Sequence, residues 1–150
     1  NIKEVDLTSL VEQVVDHSSI HANQKNIDIL VDLVEVKVHV DPNYTYQIIE
    51  NLLSNALKFT PIGKKVYVKI KVDNEIVVLS VRDEGPGISQ EDQEKLYSKF
   101  QTLSARPTGG EKSTGLGLSI VKKYTEAMNV DVKCESAEGE GATFYLTFKV

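Results

Sequence analysis

The sequence predicts an α/β two-layer sandwich, α+β in the sense that its helices gather on one side: a mixed, about five-stranded sheet with three main helices on one face. Two patterns carry that prediction. Apolar residues recur at three- and four-residue spacing in three long stretches, while elsewhere they alternate with polar ones. In the clearest alternating run Val66, Val68, Ile70 and Val72 face lysines at 65, 69 and 71, as in a strand with one face covered and the other wet. A length of 150 residues suits one domain, 1–150, with a sizeable core, and is short for two.

Taken in order, Leu7, Leu10, Val11, Val14 and Val15 define a first amphipathic helix, with Asp6 or Thr8 as N-cap and an end near Asn23. Ile27, Ile29 and Val31 alternate, as do Val36, Val38 and Val40, which predicts two short strands with a turn over residues 32–35. Asp41-Pro42 breaks the second and opens the central helix, which Thr60-Pro61-Ile62-Gly63 stops. Strands follow at Val66–Val72 and Val77–Val81, joined by a turn at Asp73-Asn74 and ending at Asp83. A short helix is expected over Gln90–Phe100 with Ser89 as N-cap, and residues 102–114, rich in Gly, Ser and Thr, read as a mobile loop. A third helix over Leu116–Met128 and strands over Val130–Ser136 and Ala142–Val150 complete the chain; in the last, Ala142, Phe144, Leu146 and Phe148 alternate.

Composition narrows the function classes. Hydrophobic content of 41% and charged content of 26% are those of a globular protein, and no apolar run approaches the roughly twenty residues that cross a bilayer. A formal charge of -5 argues against a sequence-independent grip on nucleic acid. The single cysteine, Cys134, excludes an internal disulfide and lies in an alternating run, so it reads as a small strand residue turned inward. The chain begins at Asn1 without an initiating Met and is expected to be a piece of something longer.

The chemistry concentrates on the central helix and on two glycine-rich turns. Along Gln47–Thr60, Ile48, Ile49, Leu52, Leu53, Ala56 and Leu57 occupy one side, and Gln47, Asn51, Asn55 and Lys58 another. Asn is a mediocre helix former, so this stripe is either a solvent-facing polar surface or a set of ligands. As ligands, amide oxygens suit a hard cation and a lysine one turn on suits phosphate. Asp83-Glu84-Gly85-Pro86-Gly87-Ile88 sits at a strand end, either as a tight turn with an exposed Asp or as a place where backbone approaches a flat ligand and a carboxylate accepts from an exocyclic amine. Gly115-Leu116-Gly117 opens the third helix, where backbone amides favour anions.

These stretches, in this order, resemble the GHKL ATP-binding superfamily with its Bergerat fold, and most closely the catalytic ATP-binding domain of two-component sensor histidine kinases. Asn51-Leu-Leu-Ser-Asn55-Ala-Leu-Lys58-Phe59 is similar to the family's N box, Asp83-Glu-Gly-Pro-Gly87-Ile88 to its G1 box and Leu96-Tyr-Ser-Lys-Phe100 to its F box. Ser113-Thr114-Gly115-Leu116-Gly117-Leu118 resembles the G2 box, and Gly139-Glu-Gly141-Ala-Thr143-Phe the closing motif. The resemblance implies that Asp83 bonds the adenine amino group with Thr143 nearby, that Gly85 and Gly87 admit the base, and that Ile88 and Phe59 line it. It implies Mg²⁺ on Asn55, with Asn51 assisting at metal or phosphates, Lys58 on a phosphate, and the backbone of Thr114, Gly115, Leu116, Gly117 and Leu118 around the triphosphate of ATP. Residues 101–114 would be the ATP lid, anchored by Phe100. Gln101-Thr102 departs from the aromatic and basic residues that many relatives carry there, leaving Arg106 or Lys112 to meet phosphate.

In hydrolysing relatives the position one turn before the metal-binding Asn is an acid that activates water; here it is Asn51. Glu50 is adjacent but lies about 140° from Asn55 around the helix. An imidazole acceptor already carries a lone pair and needs less help. The resemblance therefore implies a protein-histidine kinase that transfers the γ-phosphoryl group of ATP to a His, for two-component signal transduction. His17, His21 and His39 do not match the family's acceptor signature, so the acceptor is expected on a dimerising helical domain of the same or a sister chain, N-terminal to Asn1, with a response regulator downstream. The domain itself would be cytoplasmic whether or not its parent is anchored in a membrane, and would touch neither nucleic acid nor membrane. Two other functions fit the same motifs: a degenerate regulatory module that binds nucleotide without transfer, and a stand-alone GHKL ATPase, which Asn51 disfavours.

Overall fold

The computed structural model describes residues 1–93 and 117–149. A four-residue strand, β1 (Lys3–Asp6), leads directly into α1 (Leu7–Gln24). Asp6 caps that helix by accepting from the Ser9 amide at 3.1 Å. Thr8, the other cap expected from sequence, ties a neighbouring segment instead. Its hydroxyl donates to Val34 O at 2.7 Å and accepts from the Val36 amide at 3.1 Å.

β2 (Asp28–Asp32) and β3 (Lys37–Val40) follow, and then α2 (Pro42–Phe59). Asp41 accepts from the amides of Asn43 and Tyr44 at 2.9 and 3.1 Å, and Pro42 occupies the first turn, where its missing N–H costs nothing. β4 (Lys65–Asp73) and β5 (Ile76–Arg82) form a hairpin whose turn holds Asn74 at φ 57°, a left-handed conformation that Asn tolerates. A short helix, α3 (Gln90–Gln93), starts at Ser89, whose hydroxyl accepts from the Asp92 amide at 3.1 Å. After it α4 (Gly117–Met128), β6 (Asp131–Ser136) and β7 (Ala142–Lys149) complete the described chain. The helix expected to reach Phe100 and the lid expected over residues 101–114 lie outside the described residues past Gln93.

The main sheet has the order β2-β4-β5-β7-β6, with β2 parallel to β4 and every other pair antiparallel. This is the mixed, five-stranded sheet predicted. The structure also differs from the prediction. β1, which was not predicted, pairs with β3 in a separate two-stranded ribbon, so β3 does not join the main sheet. Alternation tells which face of a strand is covered and says nothing about its neighbour.

One face of the sheet carries Val66, Val68, Ile70, Val77, Leu79, Val81, Ala142, Phe144, Leu146 and Phe148, all buried, against the helices. α2 is the middle helix, flanked by α1 and α4, and buries Ile48, Ile49, Leu52, Leu53, Ala56 and Leu57. Tyr44 and Tyr124 stack with centroids 4.2 Å apart, fastening α2 to α4. The opposite sheet face is wet, with Arg82 over the Tyr67 ring at 5.1 Å and Lys69 3.8 Å from Asp32. On the covered face, Val81 and Asp83 at the end of β5 meet Leu52, Asn55, Ala56 and Phe59 of the C-terminal half of α2.

Candidate functional site: a cleft at the end of α2

Asp83 follows the last residue of β5, and its backbone is fixed by a 2.8 Å bond from its amide to Ala142 O. The residue is only 8% exposed. Oδ1 accepts from the amides of Gly85 and Ala142 at 2.8 and 3.2 Å. Among the described residues no donor reaches Oδ2, although the side chain lines a cleft. Burial raises the carboxyl above the ordinary carboxylate value, and the two amides and Arg82 oppose that rise. A buried carboxylate with one oxygen satisfied and the other on a cleft is suited to accept from a ligand, because leaving such an oxygen unpaired is costly.

The cleft is lined by Leu52, Asn55, Ala56, Phe59, Val81, Asp83, Pro86, Gly87, Ile88, Ala142 and Phe144. Its enclosed floor is small, ≈ 20 Å³, room for about one water; a flat ring has to lie in the open part above. Asn55 is the polar member contributed by α2, and Phe59 and Ile88 supply apolar walls. The loop that carries Gly87 and Ile88 is held to the β6–β7 turn. The Ile88 amide donates to Ser136 Oγ and that hydroxyl donates to Gly141 O, both at 2.7 Å. Gln93 Nε2 donates to the carbonyls of Ile88 and Ser136 at 2.8 and 3.1 Å.

The glycines act differently from the expectation that they make room for a base. A Cβ on Gly85 would stand 2.6 Å from Phe59 O, and one on Gly87, where φ is +80°, 2.0 Å from Ala137 O. One on Gly141 would stand 2.3 Å from Asp83 O. Each collision is with protein backbone, so these glycines let three loops touch and thereby aim Asp83.

Asn51 and Lys58 line a second groove with His17, His21, Glu50 and Ser54, while Asn55, on the same helical stripe, lines the first cleft. Asn51 Nδ2 donates to Gln47 O within its own helix at 2.8 Å. A model of the family described as histidine kinase-, DNA gyrase B-, and HSP90-like ATPases matches residues 40–150.

The chain belongs to that family.

Members are ATP-binding domains, and several relatives of this one carry sensor or sensory kinase in their names. It is 29% identical over 97% of its length to the heme sensor protein HssS of Staphylococcus saprophyticus, covering 31% of that protein. It is 36% identical over 98% of its length to the adaptive-response sensory kinase SasA of a Synechococcus species, covering 39% of it. The chain thus spans well under half of these curated relatives. Among solved structures, the catalytic domain of histidine kinase ThkA superposes with TM-score 0.86 at 27% identity, covering 99% of this chain and 95% of that one. Histidine kinase ThkA in complex with the response regulator TrrA superposes with TM-score 0.81 at 25% identity over 99% of this chain and 41% of that one.

Against this family background, the residues expected from sequence divide. The structure brings Asn55, Phe59, Asp83, Gly87 and Ile88 to one cleft, with Gly85 bonded to Asp83 beside it. Thr143 is not among them. Ala142 and Phe144 face the cleft, so Thr143, between them on β7, faces the wet side opposite Arg82 and Glu135. The Leu118 side chain is buried in the core, leaving only its backbone for a ligand, and Gly117 begins α4. Thr114, Gly115, Leu116 and the F-box residues to Phe100 lie outside the described residues. Sequence reasoning missed Ser136 and Gln93, whose roles depend on loops far apart in the chain. Of Ala142 it saw the turned-in side chain and missed the amide.

Proposed function

We propose that this domain binds ATP with adenine on Asp83 and presents the γ-phosphoryl group to a histidine on a separate helical domain, as a sensor histidine kinase. The observation that carries the reading is the open Oδ2 of a buried Asp83 in an apolar cleft. An exocyclic amine donating to that oxygen completes the carboxylate, whereas the carbonyl of guanine would face it with a second acceptor.

From the base, Asn55 lies on the way to the groove of Asn51 and Lys58. Asn55 would offer an amide oxygen to Mg²⁺, and Lys58 an ammonium to phosphate. Mg²⁺ commonly takes one or two protein ligands and completes its shell with phosphates and water, so a single amide fits; the ion supplies charge neutralisation as the phosphoryl group leaves. The described residues hold no group of three His, Cys, Asp or Glu suited to a metal by themselves. Among the described residues Asp83, turned to the base, is the one carboxylate that lines the cleft with Asn55, and Glu50 lines the groove instead. Water would therefore be poorly activated, whereas an imidazole, whose neutral nitrogen already carries a lone pair, needs less help to attack phosphorus. The acceptor histidine, a response regulator that takes the phosphoryl group onward and a cytoplasmic setting belong to this proposal. No described helix is long and apolar enough to cross a membrane.

Calorimetric titration of ATP and ADP into the chain with and without Mg²⁺, beside a phosphate-release assay, tests the reading. Magnesium-dependent binding with negligible release, and transfer once an acceptor-histidine domain is supplied, is the expected result. Binding without transfer would identify a regulatory module, brisk release an ATPase, and absence of binding would refute the site.

A further inference from the structure

We infer that Lys25 is a positioning residue for the phosphate end of the site, acting through the last turn of α2. The inference rests on the ATP reading above. Lys25 is 8% exposed, unusual for a lysine in a run, Gln24-Lys25-Asn26, that otherwise looks like a surface turn. It is the C-cap of α1, and its side chain crosses to the other helix. There Nζ donates to Leu57 O at 2.8 Å and to Lys58 O at 3.2 Å. Its own carbonyl accepts from the Gly63 amide at 3.0 Å, so the loop leaving α2 is tied to the same residue.

The last four carbonyls of a helix have no partner inside it, and a cation there also meets the negative end of the helix dipole. The two carbonyls that Lys25 satisfies belong to the turn bearing Lys58, one turn after Asn55. Each residue turns a helix by about 100°, so a frayed final turn re-aims Lys58, whereas Phe59 on the same turn has its carbonyl packed against Gly85 and its neighbour Thr60 accepts from the Glu84 amide at 3.3 Å. The base end is braced separately, by Ala142 on Asp83 and by Ser136 on Ile88. Loss of the ammonium should therefore separate the two ends of the site functionally.

Lys25→Met and Lys25→Arg in the whole 150-residue chain supply the test, with Mg·ATP and adenosine affinities by calorimetry and exchange of the Thr60 amide, which donates to Ala56 O, by hydrogen–deuterium NMR. The Met variant should bind Mg·ATP about tenfold more weakly and adenosine within about twofold of wild type, with Thr60 exchange about tenfold faster. Arg should restore most of both. Equal losses for the two ligands, or no loss for either, would overturn the inference. If wild type binds no nucleotide, the ATP reading fails by itself, and the Thr60 exchange still decides whether Lys25 holds the turn: an unchanged rate refutes it. Should the Met variant not fold, Lys25→Gln, which keeps an N–H donor without the charge, carries the same comparison.

Discussion

The two concavities that meet the polar stripe of α2 are built by opposite means. Around Asp83 nearly everything is backbone: two amides on one carboxylate oxygen, carbonyls pressed against glycines, and a hydroxyl bridging two loops. Around Asn51 and Lys58 the groove is lined mostly by side chains of α1 and α2, with His17, His21, Glu50 and Ser54 half-buried or exposed over the buried Ser18, Lys25 and Leu57. A base presents a fixed, flat pattern of donors and acceptors, and a rigid frame discriminates such patterns at little entropic cost. Phosphates and a hydrated cation carry charge in many orientations, so long side chains that gather around them suffice. Selectivity should reside at the first end and magnesium dependence at the second.

The largest effect should come from breaking the backbone frame. Gly87→Val adds a Cβ that would stand 2.0 Å from Ala137 O at a φ of +80°, and unfolding in urea should show a loss of at least about 3 kcal/mol. Gly63→Val is the control, equally left-handed at +85° but with nothing within 4 Å of its Cβ; it should lose about 1–2 kcal/mol. Similar losses at both positions would mean that strain alone, and not contact between loops, makes these glycines necessary.

At the other end, Asn55→Ala should remove the magnesium-dependent increment of ATP binding, about tenfold or more, and leave adenosine affinity within about twofold in calorimetry. Loss of both would mean that Asn55 serves the base cleft that it lines.

A smaller effect follows from titration of Asp83. Its folded-state carboxyl lies above the ordinary value because burial disfavours the charge. The folded state therefore holds the proton more tightly than the unfolded one, and stability from this group is present in acid and lost as pH rises between the ordinary carboxylate value and the raised one. Asp83→Asn keeps an oxygen for the two amides and removes that loss. Its melting temperature should fall less than that of wild type as pH rises across this window; an identical pH profile would contradict the burial argument. The least change is expected at Cys134, whose thiol is pushed up to about 12 by burial and then by Asp83 and Glu135. Native-state alkylation at neutral pH should be slow, and fast labelling would show that β6 opens.

The long periodic segments were legible in the sequence because burial of one face writes itself into spacing: α1, α2, α4 and the β4–β5 hairpin lie close to where periodicity puts them. β1 was not, since Lys3–Asp6 offers one apolar residue, Val5, among three charged ones. Asp83 and Asn55 were legible as chemistry out of place, a carboxylate at a strand end and an amide in a helix. Thr143 was misjudged although the alternation of Ala142, Phe144, Leu146 and Phe148 already puts it on the far face. Lys25 and Ser136 left no local signal, because each acquires its role from a partner more than thirty or forty residues away.

The measurement that tests the account most directly is competitive binding of ATP and GTP to wild type and to Asp83→Asn. The account predicts that wild type prefers ATP by at least about a hundredfold, and that the Asn variant, still folded, loses most of that preference. An unchanged preference in the variant would contradict the assignment of Asp83 as the group that reads the base.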